Sequence, residues 1–346
     1  MKIVVLAGGL SPERDVSLTS GALVANALLE KGHDVMLLDL YLGKKSKEFE
    51  PFYQNNKKGF MYKHSVASNC PDLEKLKEES GNGDKLIGDG VLDICMKADV
   101  VFMALHGSIG ENGKLQAIFD TYGVNYTGTG YDGSLIAMDK DLSKKVMKCN
   151  DILTADWEFI SLKDDKIDID SIKLPCVVKP CSCGSSVGVS IVEKKEDLEK
   201  ALELAKQWED YVVIEDKIEG REFSIGVLDG KALPIIEIKP KKGFYNYENK
   251  YQKGYTEEIC PAEVDDKTRD MMQIAALKVH KALRLGYYSR IDFILDKDNK
   301  AYCLEANTLP GMTPTSLMPQ EAEAFGIPYE DLCENIARSG QRKRKY

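Results

Sequence analysis

The first forty residues restrict the fold more than any other stretch. Lys2–Leu6 (KIVVL) is an apolar run that ends at Gly8-Gly9 and reads as a buried strand. From Ser17 to Lys31 the apolar residues recur at helical spacing, and Gly32 supplies a stop. Asp34–Leu40 is a second strand-like run. A β-loop-α-β opening predicts a doubly wound parallel sheet with a ligand at its strand ends. Ala98–Leu105 adds a buried strand running into His106-Gly107, and Gly123–Tyr126 adds another before a glycine-rich turn. A first α/β domain is therefore expected over 1–128. The polar stretch Lys44–Gly90 reads as an insertion with one helix near Leu73–Glu79.

The C-terminal third reads differently. Arg290-Ile291-Asp292-Phe293 opens an apolar segment, Asp296-Lys297-Asp298-Asn299 is a polar cluster, and AYCLEAN is a second strand-like segment. This predicts a β-hairpin. A turn centred on Asp298-Asn299 places Asp292 opposite Glu305, and Asn307 shares the face of Glu305. Two carboxylates and a carboxamide then converge, the oxygen donors that Mg²⁺ prefers.

Between these regions lie a helix at Lys140–Lys148, strands at Pro175–Lys179 and from Ile191, a helix at Glu196–Trp208, and a strand at Tyr211–Glu215. The loop Cys181–Gly188 follows Lys179; its glycines and serines let backbone N–H groups approach a polyphosphate. The pattern is not a Walker loop. Strands at Glu222–Val227 and Leu233–Lys239 and a helix at Lys267–Leu285 precede the hairpin. Residues 240–255, aromatic and lysine-flanked, are expected to form a lid. The lobes are then 129–215 and 216–346, giving α/β architecture with α+β character towards the C-terminus.

Composition excludes some classes. A net charge of −9 argues against a nucleic-acid-binding surface. No apolar run approaches the ~20 residues that span a bilayer. Nine cysteines, an odd number without a Cys-x-x-Cys pair, predict reduced thiols and a cytoplasmic address. The short basic tail Arg338–Tyr346 is expected to fray.

The segments GGLSPERDVSLTSG, HGSIGENGKLQ, MDK, VKPCSCGSSVG, IEDKIEGREF, FYNYENKY, SRIDF and LEANTLPGMTPTSL occur in that order. The series resembles the D-alanine–D-alanine ligase family of the ATP-grasp superfamily. The resemblance implies three domains, with ATP between the central and C-terminal ones. It implies phosphorylation of a first D-alanine by ATP and attack on the acyl phosphate by a second, serving peptidoglycan precursor synthesis. By the same resemblance Lys140, Lys179 and Ser186 contact the nucleotide phosphates, and Lys250 reaches the γ-phosphate from the lid. Glu215 and Glu222 hold adenine and ribose. Asp292, Glu305 and Asn307 bind two Mg²⁺ ions, with Mn²⁺ as an alternative. Arg290 and the Gly311 N–H stabilise the oxyanion. Glu13 holds the first ammonium within a Glu13–Ser185–Tyr251 network; His106 belongs to the substrate side, and Ser316 and Leu317 face the second substrate.

The partners expected are D-alanine and ATP, with no nucleic acid and no membrane, in a homodimer. Tyr251 in an intact YENKY segment resembles the dipeptide-forming branch rather than the D-lactate branch. D-Serine as acceptor is not separated from D-alanine by these residues, since an apolar pocket discriminates weakly against one hydroxyl. A nucleotide-binding regulator without catalysis is the remaining alternative; the intact metal triad, both lysines and Arg290 argue against it. Two departures stand out: Cys181-Ser182-Cys183 fills the phosphate loop, and Asn112 stands where the family often has Asp.

Overall fold

A computed structural model describes residues 1–51, 62–64, 71–163, 167–184, 186–240 and 256–341. Strand β1 (Lys2–Ala7) lies between β2 (Asp34–Asp39) and β3 (Val100–Met103), parallel to both. Ile3 through Ala7 are wholly buried, which explains an unbroken apolar run rather than an alternating one. Helix α1 (Arg14–Glu30) packs close against this sheet: a Cβ on Gly21 would fall 2.6 Å from the Ala7 Cβ.

Helix α1 begins three residues before the apolar periodicity does. Its first turn buries Arg14, whose guanidinium donates to the Gly9 carbonyl at 2.9 Å and pairs with Asp39 at the end of β2. A buried arginine hides a helix start from a reading based on apolar spacing. The expected strand at Gly123–Tyr126 is a correction: only the bridge Val101–Tyr126 forms, held by Val101 N–H to Asn125 at 2.8 Å and Thr127 N–H to Val101 at 3.0 Å. Helix α2 (Leu73–Ser80) forms where expected, and α3 (Val91–Met96), α4 (Ser108–Glu111), α5 (Lys114–Tyr122) and α6 (Tyr131–Met138) follow.

Helix α7 (Lys140–Cys149) leads into an antiparallel sheet of order β4-β7-β5-β6, from Trp157–Ser161, Tyr211–Asp216, Cys176–Pro180 and Ser190–Val192, backed by α8 (Leu198–Lys206). The third sheet has the order β11-β10-β8-β12-β13, with β9 (Lys231–Ala232) beside β8. Its strands are Thr256–Ile259, Ile236–Pro240, Arg221–Leu228, Tyr288–Leu295 and Ala301–Asn307, all antiparallel. Helix α9 (Asp266–Ala282) buries Met272, Ala276 and Val279 against it.

Helices α10 (Leu317–Ala324) and α11 (Tyr329–Ser339) return the chain to its beginning. Leu332, Cys333 and Ile336 join the core built around β1, so the C-terminal lobe is tied to the N-terminal sheet. The eight described cysteines other than Cys70 are all free thiols. Among the described residues no helix is long and apolar enough to cross a membrane.

Candidate active site

A cavity of about 530 Å³ opens where the N-terminal strand ends meet the third sheet. Glu13, His106 and Lys140 line it from one side. Arg290, Glu305 and Asn307 line it from the hairpin, with Gly311, Ser316 and Leu317 beside them. The volume suits a small-molecule site.

Glu13 precedes α1 and sits between two glycine loops. A Cβ on Gly107 would fall 2.7 Å from its Oε2, and one on Gly184 would fall 3.7 Å from it. His106 is buried, with Nε2 3.3 Å from the Ser20 hydroxyl. Burial lowers its pKa, against the pull of Glu13. Glu111, given no role by the sequence reading, also lines the cavity and accepts from the Gly107 N–H. Desolvation, then the Glu13 charge, pushes its acid up to about 8. A carboxyl raised on folding gives stability that is full below the ordinary Glu range and lost as pH climbs through about 8. Glu111→Gln is therefore expected to flatten the fall in stability between about pH 5 and about pH 9. Urea unfolding at several pH values checks this; parallel slopes for variant and wild type would refute it.

The hairpin does place Asp292 opposite Glu305, by a route the sequence reading did not foresee. Leu295, Ile294 and Phe293 pair with Ala301, Tyr302 and Cys303, which centres the turn on Asp298. A bulge at Leu304 then adds one residue and brings Glu305 across from Asp292. Asp292 is nearly buried and accepts from Ser224 Oγ at 2.7 Å and Asn307 Nδ2 at 3.0 Å. Arg290 grips it twice, Nε to Oδ1 at 3.0 Å and Nη2 to Oδ2 at 2.7 Å. Hard oxygen donors on neighbouring strands suit a divalent cation.

The lysines occupy two levels. Lys140 opens α7; its Nζ donates to the Cys183 carbonyl at 2.6 Å, and its N–H donates to the Cys181 carbonyl at 2.9 Å. The Cys181 thiol lies 3.2 Å from Asp139 Oδ1, the residue that caps α7. Cys181 thus fastens the loop after β5 to this helix by its thiol and its carbonyl, and Cys183 does so by its carbonyl alone. Lys179 donates to Glu215 Oε2 at 2.7 Å. Lys144, without a role in the sequence reading, lies 3.3 Å from Glu215 Oε1 and donates to Thr154 Oγ1 at 2.7 Å. It stands on the same helix face as Lys140, one turn on, a spacing that could have revealed it. Burial opposes ionisation of Glu215, yet Lys179 and Lys144 hold its carboxyl below the usual range. Burial opposes the Lys179 charge, yet Glu215, and after it Glu305 and Glu222, hold its pKa above the usual lysine value.

Several expected residues lie apart from the cavity lining. Lys179, Glu215, Glu222 and Asp292 flank it through these pairs, and Ser186 stands in the loop with a positive φ of 56°. Ser316 precedes α10; its hydroxyl accepts from the Thr313 N–H at 3.1 Å and bonds Thr313 Oγ1 at 2.8 Å. A Cβ on Gly311 would fall 2.9 Å from that hydroxyl, so the backbone at Gly311 runs close beside Ser316. Leu317 packs with Ile236 and Ile238. Ser185, Lys250, Tyr251 and nearly all of the expected lid lie outside the described residues.

A family model described as D-ala D-ala ligase N-terminus matches residues 2–129, and one described as D-ala D-ala ligase C-terminus matches 146–338. The D-alanine–D-alanine ligase of Pediococcus pentosaceus is 45% identical over 347 residues, spanning 99% of this chain and 98% of that protein. That of Lacticaseibacillus casei is 42% identical over 341 residues, spanning 97% and 94%. The crystal structure of the Bacillus anthracis D-alanine–D-alanine ligase complexed with ATP superposes with a TM-score of 0.74 at 30% identity, covering 99% of this chain and 98% of that one. The chain belongs to the D-alanine–D-alanine ligase family.

Proposed function

We propose that this chain is an ATP-dependent ligase that joins two D-alanines into D-alanyl-D-alanine for peptidoglycan precursors, releasing ADP and phosphate. The observation that carries the reading is one cavity shared by the two lobes. It joins Glu13 and His106 of the N-terminal lobe to Arg290, Glu305 and Asn307 of the hairpin. In this reading residues 1–128 bind substrate, and 129–215 and 216–346 close on ATP.

A carboxylate oxygen of the first D-alanine attacks the γ-phosphorus, and ADP leaves. The amine of the second attacks the acyl carbon, loses a proton, and phosphate leaves. Both reactants of the first step are anionic, so positive charge must be placed before the chemistry. Lys140 and Lys179 hold the phosphates, with Ser186 beside them in the loop, and Glu215 and Glu222 take adenine and ribose. Glu13 takes the first ammonium, with His106 on the same side. Arg290 and the Gly311 N–H face the oxyanion, and Ser316 and Leu317 flank the second substrate. Asp292, Glu305 and Asn307 would hold Mg²⁺, which screens phosphate charge when bound. Ser185, Lys250 and Tyr251 complete the set from outside the described residues.

The free thiols and the use of ATP support a cytoplasmic address, and sedimentation tests the homodimer. The deciding assay is phosphate release from ATP with D-alanine, compared with L-alanine, D-serine and D-lactate, with products identified by mass. D-Alanine should support turnover and yield the dipeptide. Phosphate release indifferent to D-alanine would overturn the reading.

A further inference from the structure

Glu321, in helix α10, is fully buried; no side chain among the described residues hydrogen-bonds its carboxyl, and the one donor that bears on it is the Gly226 N–H. A buried acid without a side-chain partner costs stability, so it calls for a use. The third sheet is shaped around it. Gly226 on β8 pairs with Arg290 on β12, so a side chain at 226 would point to the same face as Arg290. A Cβ there would fall 2.5 Å from Glu321 Oε2. The Glu321 carboxyl therefore occupies the place of a cross-strand neighbour of Arg290, and Asn307 pairs with Arg290 from the other side.

Arg290 spends two hydrogen bonds on Asp292. It must leave Asp292 if that carboxylate is to hold a cation and the guanidinium is to face an oxyanion. We propose that Glu321 is a positioning residue: inserted from helix α10 at Gly226, its carboxyl becomes the acceptor for Arg290 when Asp292 gives the fork up. The inference rests on the ligase reading above. Glu321 has no exposed surface and acts through Arg290, not on substrate. Burial drives its acid well above the usual range; Arg290 and the Gly226 N–H draw it down, and Asp292 pushes it further up.

The test compares wild type, Glu321→Leu and Glu321→Gln, each as the full chain. Removing a buried acid that no side chain partners should raise Tm in both variants, by about 2 °C or more. Glu321→Leu should lower kcat about tenfold with little change in KM for ATP, and Glu321→Gln, which keeps an acceptor oxygen, should recover most of it. The Tm gain on adding Mg²⁺ and ADP should be smaller in Glu321→Leu than in wild type. Undiminished kcat in Glu321→Leu, a lowered Tm in both variants, an equal Tm gain, or failure of the glutamine to rescue would each overturn the inference. A wild type that binds Mg²⁺ and ADP, with the Tm pattern as expected, but ligates no D-alanine would instead overturn the ligase reading.

Discussion

Glu305→Gln is expected to lower kcat by about two orders of magnitude or more while leaving Tm within about 2 °C of wild type. Glu305 stands on β13, lines the cavity and faces Asp292 across the hairpin. It is only partly buried, so the amide costs the fold little. On the ligase reading proposed above, what changes is the donor set, because a neutral oxygen replaces a charged one where a phosphate needs screening. The bulge at Leu304 makes the argument specific to this position. Mg²⁺ titration of turnover checks it: the variant should need more metal and saturate at a lower rate. Near wild-type turnover at limiting Mg²⁺ would remove Glu305 from the metal site.

That position was legible in the sequence for a reason only partly right. Two strand-like apolar segments around a polar turn marked the hairpin, but the turn centres on Asp298 rather than between Asp298 and Asn299, and a bulge restores the opposition of Asp292 and Glu305. Leu304 is apolar like its neighbours and carries no bulge signal. The parallel N-terminal sheet was legible because strands buried on both faces read as unbroken apolar runs. Arg14 concealed the start of α1 because ion pairing with Asp39, not apolarity, buries it. Glu321 looks in sequence like any polar residue of a surface helix. Its burial depends on Gly226, a partner supplied by the tertiary fold. The return of α11 to the β1 core is equally invisible to local patterns, since Leu332 and Ile336 show an apolar face but not what covers it.

Lys179→Met is expected to weaken both the fold and the use of ATP, and a second substitution should separate the two. Lys179 and Glu215 form a buried pair at 2.7 Å, with side-chain exposures of 15% and 3%. Removing one partner of such a pair costs about 3–5 kcal/mol, because the other charge is left behind. Here the loss should fall at or below about 3 kcal/mol, since Lys144 remains 3.3 Å from the other Glu215 oxygen. Glu215→Gln added to Lys179→Met removes the stranded charge and keeps an acceptor for Lys144. The double variant should regain most of the lost stability in urea unfolding. It should not regain ATP use, because the Lys179 ammonium is still missing beside the phosphates, where Lys140 alone remains. A charge-assisted contact of about 1.5–3 kcal/mol predicts kcat/KM for ATP lower by roughly 10- to 150-fold in Lys179→Met, and by at least as much in the double variant, which also changes the Glu215 contact to the nucleotide. If ATP use recovered along with stability, Lys179 would be a structural counter-ion of Glu215 and the phosphates would be held by Lys140. If stability failed to recover, the cost would lie in packing around the Lys179 stem rather than in the charge of Glu215.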